Sequence, residues 1–235
     1  MRTLAYIVRL GNDNPELRYS LRSVWQNMPH GQVIIVGHLP RWVRNVRYIP
    51  VDQDNRSGAK RMNALRNLAA LAAAGPGEFV LMNDDFFAVR PTAAVPPPVH
   101  RGSLARLAAA REAAVPGSEH GRVLRLTDSI LCEAGLSEPL AYETHTPMHM
   151  SAAGLALALD TGDRSGSHLF APRSLYGNLH RLGGRQIGNV KVYAGDEAPP
   201  AAEDWLSTTD TSFRYHPVGD RLRRLFPEPS PYEAV

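Results

Sequence analysis

A single cysteine, Cys132, occurs in the 235 residues, which excludes an internal disulfide and a cysteine-rich zinc site. A lone thiol gives no sign of an oxidising compartment, and Cys132 is expected to pack in the core. Long hydrophobic runs are also missing. The longest, the Ala/Leu stretch from Leu65 to Ala74, is too short to span a bilayer. The first residues, Arg2 followed by a strand-like run, show no signal-peptide apolar region or cleavage site, so a cytoplasmic chain is expected. Charge of one sign is scarce. Lys and Arg outnumber Asp and Glu by 26 to 23, a net charge of +3, and that excess does not predict a nucleic-acid partner. Because the basic residues are nearly all arginine, they suit a cleft that holds phosphates. No Gly-x-Ser-x-Gly elbow, no Gly-Lys-Ser/Thr phosphate loop, no dinucleotide fingerprint and no internal repeat is present, which weighs against hydrolase, kinase and dehydrogenase chemistry.

What is present is an ordinary globular composition, 43% hydrophobic and 21% charged, enough to build a core and too apolar for a disordered chain. Leu4–Leu10 is a β-branched, apolar strand that breaks at Gly11-Asn12-Asp13-Asn14-Pro15. Pro15 opens a helix with Leu17, Leu21, Val24 and Trp25 at helical spacing. "QVIIVGH" and Val46–Val51 are further strands. A helix over Ser57–Ala74 stops at Gly75-Pro76-Gly77, and "EFVLMNDDFF", residues 78–87, is the next strand. Strand and helix alternating over residues 1–90 predict an α/β fold, a mostly parallel sheet with helices on both faces. Ligands of such sheets bind at the carboxyl ends of the strands, which brings Gly11–Asn14, the segment after Val51, and Asn83-Asp84-Asp85 to one crevice. Residues 91–235 are less regular. They comprise a proline-rich connector, helices over Arg101–Ala114, Gly121–Gly135 and Ser151–Leu159, a glycine-rich turn over Leu182–Gly188, a strand over Asn189–Tyr193, and an extended surface tail from Phe226. One domain is expected over residues 1–235, with residues 1–90 as its ligand-binding α/β half.

The chemistry centres on Asp84 and Asp85, two carboxylates at the end of an apolar strand. Either they hold a hard divalent cation that bridges a diphosphate, or one caps a turn and the other is solvated. His145 and His149, four residues apart, would share one side of a strand and could supply a metal ligand or a base. Arg9 and Arg173 are candidates for forked bonds to phosphate. Asp210 and His216 sit on a late polar loop.

"SGAKRMNALRNLAALAAAGPGEFVLMNDDFF" resembles nucleotide-sugar glycosyltransferases of the GT-A fold. The resemblance implies that Lys60 and Asn63, with Arg9, Asn12, Asp13 and Asp84, approach the nucleotide sugar. It also implies that Asp84 and Asp85, with His216, bind Mn²⁺ or Mg²⁺, although Asn83 stands where the usual acidic motif has its first aspartate. "ELRYSLRSV", "PRWVRNVRYIPV", "FVLMNDDFFAVRP", "HTPMHM", "RSLYGN" and "FPEPSPYE" resemble, in order and rough spacing, the Stealth family of sugar-1-phosphate transferases and small glycosyltransferases of actinobacterial phages. If the chain is phage-encoded, its place is the host cytoplasm. The two resemblances together imply a metal-dependent glycosyltransferase taking a nucleotide-sugar donor and a glycan or protein acceptor, with Asp85, His145 and Arg173 catalytic. A Stealth-like sugar-1-phosphate transferase, or a non-catalytic module binding a glycan or a virion partner, is the alternative.

Overall fold

The computed structural model describes residues 2–11, 13–56, 58–196 and 204–234. Its centre is a five-stranded sheet with the order β3-β2-β1-β4-β7, formed by β1 (Thr3–Val8), β2 (Val33–Gly37), β3 (Arg47–Pro50), β4 (Glu78–Asn83) and β7 (Met148–Ser151). The first four run parallel, and β7 joins β4 antiparallel. The fold is therefore α/β with a mixed, mostly parallel central sheet. Strand side chains alternate between faces, and both faces are covered. Leu4, Tyr6, Val8, Val80 and Met82 face α1 (Pro15–Asn27), while Ala5, Phe79 and Leu81 pack toward α2 (Lys60–Ala73). This double burial explains why the strands read as continuous apolar runs.

Beyond the sheet, β5 (Phe86–Ala88) and β6 (Val99–His100) precede α3 (Leu104–Ala114) and α4 (Glu119–Glu133). After β7 come α5 (Ala152–Asp163), α6 (Pro172–Leu179), β8 (Arg185–Gln186), β9 (Lys191–Val192), β10 (Trp205–Thr208), α7 (Asp210–Tyr215) and α8 (Pro217–Leu225). Helices α4, α5 and α6 extend the α2 side of the core through Leu124, Leu131, Leu155, Phe170 and Leu175. A second sheet, β5-β10-β9, carries its own apolar cluster of Phe87, Leu206, Phe213 and Leu222 under α7 and α8. Among the described residues no helix is long and apolar enough to cross a membrane.

Four expectations are corrected. "EFVLMNDDFF" is two strands rather than one. β4 ends at Asn83 and β5 begins at Phe86 in a different sheet, so Asp84-Asp85 is the turn between sheets. Cys132 is exposed on α4 rather than buried, because Leu124, Ile130 and Leu131 take the inward stripe. Trp25 is 55% exposed, standing edge-on to Tyr232 and His30 while Leu17, Leu21 and Val24 fill the α1 interface. The tail is no loose surface strand. Arg22 of α1 grips the Glu233 carboxylate with two bonds of 2.8 Å, and Ala234 N donates to Trp42 O at 2.7 Å. Phe226, Ser230, Tyr232 and Glu233 are all buried. The bidentate arginine and the backbone pairing to Val43 turn a proline-rich segment into part of the core wall.

Candidate functional site

The carboxyl ends of β1 and β4 open into a cavity of about 1080 Å³. Its walls come from Arg9 and Gly11 after β1, Gln53–Arg56 after β3, Lys60 and Arg61 at the start of α2, Asn83 and Asp84 after β4, Glu143 and His145 before β7, Pro172 and Arg173 at the start of α6, and Asp210 and Arg214 on α7. Most of the residues expected on one crevice are thus brought to one place, by the connectivity that puts loops at the carboxyl ends of parallel strands.

Asn14 organises the side formed by β1 and α1. It holds a left-handed backbone, φ 41°, which asparagine tolerates better than most residues. Its side-chain oxygen accepts from Leu17 N and caps α1, while its amide nitrogen donates to Asp84 Oδ2 at 2.7 Å. Arg9 reaches three carboxylates, with Glu16 at 3.2 Å, Asp210 at 3.8 Å and Asp84 at 3.9 Å. Burial, then the neighbouring Asp85, push the Asp84 carboxyl up to about 6, opposed by Arg9 and Asn14. Asp13 is exposed at the rim. Asn12 lies outside the described residues.

The structure separates Asp84 from Asp85. Asp84 lines the cavity, whereas Asp85 lies toward the second sheet, its Oδ2 taken by Lys191 Nζ at 2.6 Å and Ser207 Oγ at 3.2 Å. Asp85 Oδ1 is buried with no partner among the described residues. Asn83 is committed elsewhere too, accepting from Arg173 Nη2 at 3.0 Å. Arg173 is itself buried, donates to Thr146 O at 2.9 Å and lies over the Phe86 ring. It is thus a brace between α6, the segment before β7 and the end of β4, and one edge of it faces the cavity.

The two histidines do not share a strand face. His149 belongs to β7, whereas His145 sits on the preceding loop with φ 57°. His145 lines the cavity, and burial followed by the Lys191 charge lower it to about 4, so it is neutral at pH 7. His216, at the junction of α7 and α8, is not part of the lining and does not join the aspartates. Asn63 exchanges two bonds with the Asp54 backbone, 2.6 and 3.0 Å, pinning the loop after β3 to α2. It therefore shapes the wall, and both ends of its amide are used internally.

Helix α2 begins without a side-chain cap, has no acidic residue in its first turn, and carries Lys60 and Arg61 there instead. The positive end of the helix dipole therefore adds to two cations. Arg61 is tied to Glu119 at 3.0 Å; Lys60 is exposed, with no carboxylate in ion-pair range among the described residues. A helix start of this kind receives an anion, above all a phosphate.

Sequence reasoning brought Asn14 to the crevice without giving it a role, and missed Glu16, Glu143 and Lys191. Glu16 is 1% exposed and accepts from Thr208 Oγ1 at 2.6 Å. Burial raises its pKa to about 7, the Thr208 bond opposing and Asp85 and Asp84 adding to the rise. The sign of the pH effect follows. An unfolded glutamate loses its proton near its ordinary value of 4.5 and the folded one near 7, so the folded state binds more protons in between. Stability falls as pH rises through that window, by about 3 kcal/mol in full. In urea melts the stability of Glu16→Gln relative to wild type should rise between pH 5 and pH 8; a difference that does not change with pH would contradict the assignment.

No protein-family model and no curated protein matches this sequence.

Proposed function

We propose that this protein is a metal-dependent glycosyltransferase with a GT-A-like arrangement, moving a sugar from a nucleoside diphosphate donor to a glycan or protein acceptor. The observation that carries the reading is the uncapped start of α2, with Lys60 and Arg61, opening into a cavity whose other walls hold Asp84 and Arg9. A diphosphate would lie against this helix start, its oxygens taken by backbone N–H groups and by Lys60. Arg9, half exposed beside Asp84, would meet the same charge.

The aspartates fit a hard cation. The partnerless Asp85 Oδ1 is an oxygen in want of a positive neighbour, and burial beside each other disfavours two negative charges on the pair. Asp84, on the cavity wall, would hold Mn²⁺ or Mg²⁺ with Asp85 behind it, and the ion would supply neutralisation of the charge that builds on the departing diphosphate. No group of three His, Cys, Asp or Glu side chains among the described residues is placed to hold a metal. This suits an ion that takes one or two protein carboxylates and completes its shell with phosphate oxygens and water. Lys191 holds Asp85 in place from the other side.

The deciding experiment incubates the protein with Mn²⁺, a panel of nucleotide sugars and a bacterial lysate as acceptor, and identifies the released nucleotide by mass spectrometry. Nucleoside diphosphate is the expected product. Nucleoside monophosphate would instead mean attack at phosphorus and sugar-1-phosphate transfer, as the Stealth resemblance implies. No release, together with flat calorimetric titrations of UDP and GDP in Mn²⁺, would leave a binding module.

A further inference from the structure

Glycosyl transfer by direct displacement needs a group that takes the acceptor proton, and the cavity offers several carboxylates and one imidazole. His145 is neutral but, at about 4, holds a proton weakly. Asp54, Asp84, Glu119 and Asp210 each have an arginine within ion-pair distance, which competes for their lone pairs. Asp13 is exposed at the rim.

Glu143 differs from all of these. It lines the cavity on the side of the α6 start, across the chain's second half from the donor edge. Its Oε1 accepts two backbone N–H groups, Arg173 N at 3.1 Å and Ser174 N at 3.4 Å, so the carboxylate is fixed by the frame of α6. Its Oε2 makes no hydrogen bond among the described residues, and no cation lies within ion-pair distance of the carboxylate among them. One lone-pair-bearing oxygen is therefore free for a ligand while the other fixes orientation, the arrangement general-base catalysis requires. The same residue that receives Glu143, Arg173, also grips Asn83 beside Asp84, which ties the carboxylate to the cation end of the site through one side chain.

Resting on the donor-binding reading above, we propose that Glu143 is the base that deprotonates the acceptor hydroxyl, and that transfer inverts the anomeric centre. The Glu143 Oε2 takes the hydroxyl proton as the acceptor oxygen forms its bond to the anomeric carbon. The bond from that carbon to the diphosphate oxygen breaks with its electron pair, leaving nucleoside diphosphate, and the protonated Glu143 returns its proton to solvent. Burial, opposed by Arg173, raises Glu143 above the ordinary carboxylate range, which makes it a better base than a solvated glutamate.

Water serves as acceptor in the test. Release of nucleotide from UDP-glucose, UDP-galactose and GDP-mannose, all α-linked, is followed in Mn²⁺ for wild type, Glu143→Gln and Glu143→Asp, with UDP and GDP affinities from calorimetry. The glutamine variant, which can still accept the two α6 N–H groups, should lose about 100-fold in turnover with nucleotide affinity held within twofold. It should also lose the acid limb of the pH-rate profile. The aspartate variant, keeping the acid but retracting it by one methylene, should fall between. Proton NMR should detect the β sugar first. Turnover within threefold of wild type in the glutamine variant, joint loss of affinity and turnover, or α sugar formed first would each overturn the assignment. Normal nucleotide binding with a fully active glutamine variant sinks the base alone, whereas a wild type that binds neither UDP nor GDP sinks the donor reading and the base with it.

Discussion

Asp84→Asn should lower nucleotide release about 10³-fold, the loss of several kcal/mol of stabilisation that a bound cation gives a leaving diphosphate. Asparagine is the informative replacement because its side-chain oxygen can still accept from Asn14 Nδ2, the 2.7 Å bond that fixes the turn. The cap on α1 and the course of the chain between the two sheets should survive, so the charge alone is removed. In calorimetry, the gain in UDP or GDP affinity on adding Mn²⁺ should disappear in the variant, with the metal-free affinity close to that of wild type. Release at the wild-type rate in excess Mn²⁺ would mean that the cation mechanism is wrong and that Arg9 and the start of α2 suffice for the leaving group.

The second large effect is on stability. Lys191→Met should destabilise the fold by about 3–5 kcal/mol, the usual result of removing one partner of a buried ion pair. Asp85 and Lys191 are 2.6 Å apart with side chains only 13% and 15% exposed, and Asp85 already has one oxygen without a partner. Taking the lysine away leaves Ser207 as the one described contact to that carboxylate. Adding Asp85→Asn to Lys191→Met should recover most of the loss, since a neutral amide in the same space removes the stranded charge. Urea denaturation of wild type, the single variant and the double variant checks this. A single variant within about 1 kcal/mol of wild type would show that water or ions reach Asp85 and that the pair is no structural necessity.

The sheet was legible in the residues because its strands are buried on both faces. "LAYIV", "VIIV" and "FVLM" are apolar throughout, and Gly, Pro and Asn punctuate the chain around them. The gathering of Arg9, Lys60, Asp84, His145 and Arg173 round one opening follows from the rule for parallel strands together with the quoted resemblances. What was hidden is long range. Nothing near Asp85 says that Lys191, 106 residues away, will take its carboxylate, so the two aspartates look equivalent until the second sheet is seen. Glu16 follows Pro15 as a plain first-turn acid, and only Thr208 and Arg9, arriving from other elements, make it a buried carboxyl. Cys132 and Trp25 misled for a related reason, since residue type predicts burial on average while the helix face decides it in each case.

The clasp between Arg22 and Glu233 joins residues 211 positions apart. The arginine can stack on Tyr19 of its own helix at once, but its carboxylate partner is reached only when the distant segment of Glu233 docks. Closing so distant a contact carries a loop entropy that local pairs avoid, which slows the final step of folding. Until then the face of α1 that Tyr232 covers stays open beside Trp25, an aromatic, apolar surface on the partly folded chain.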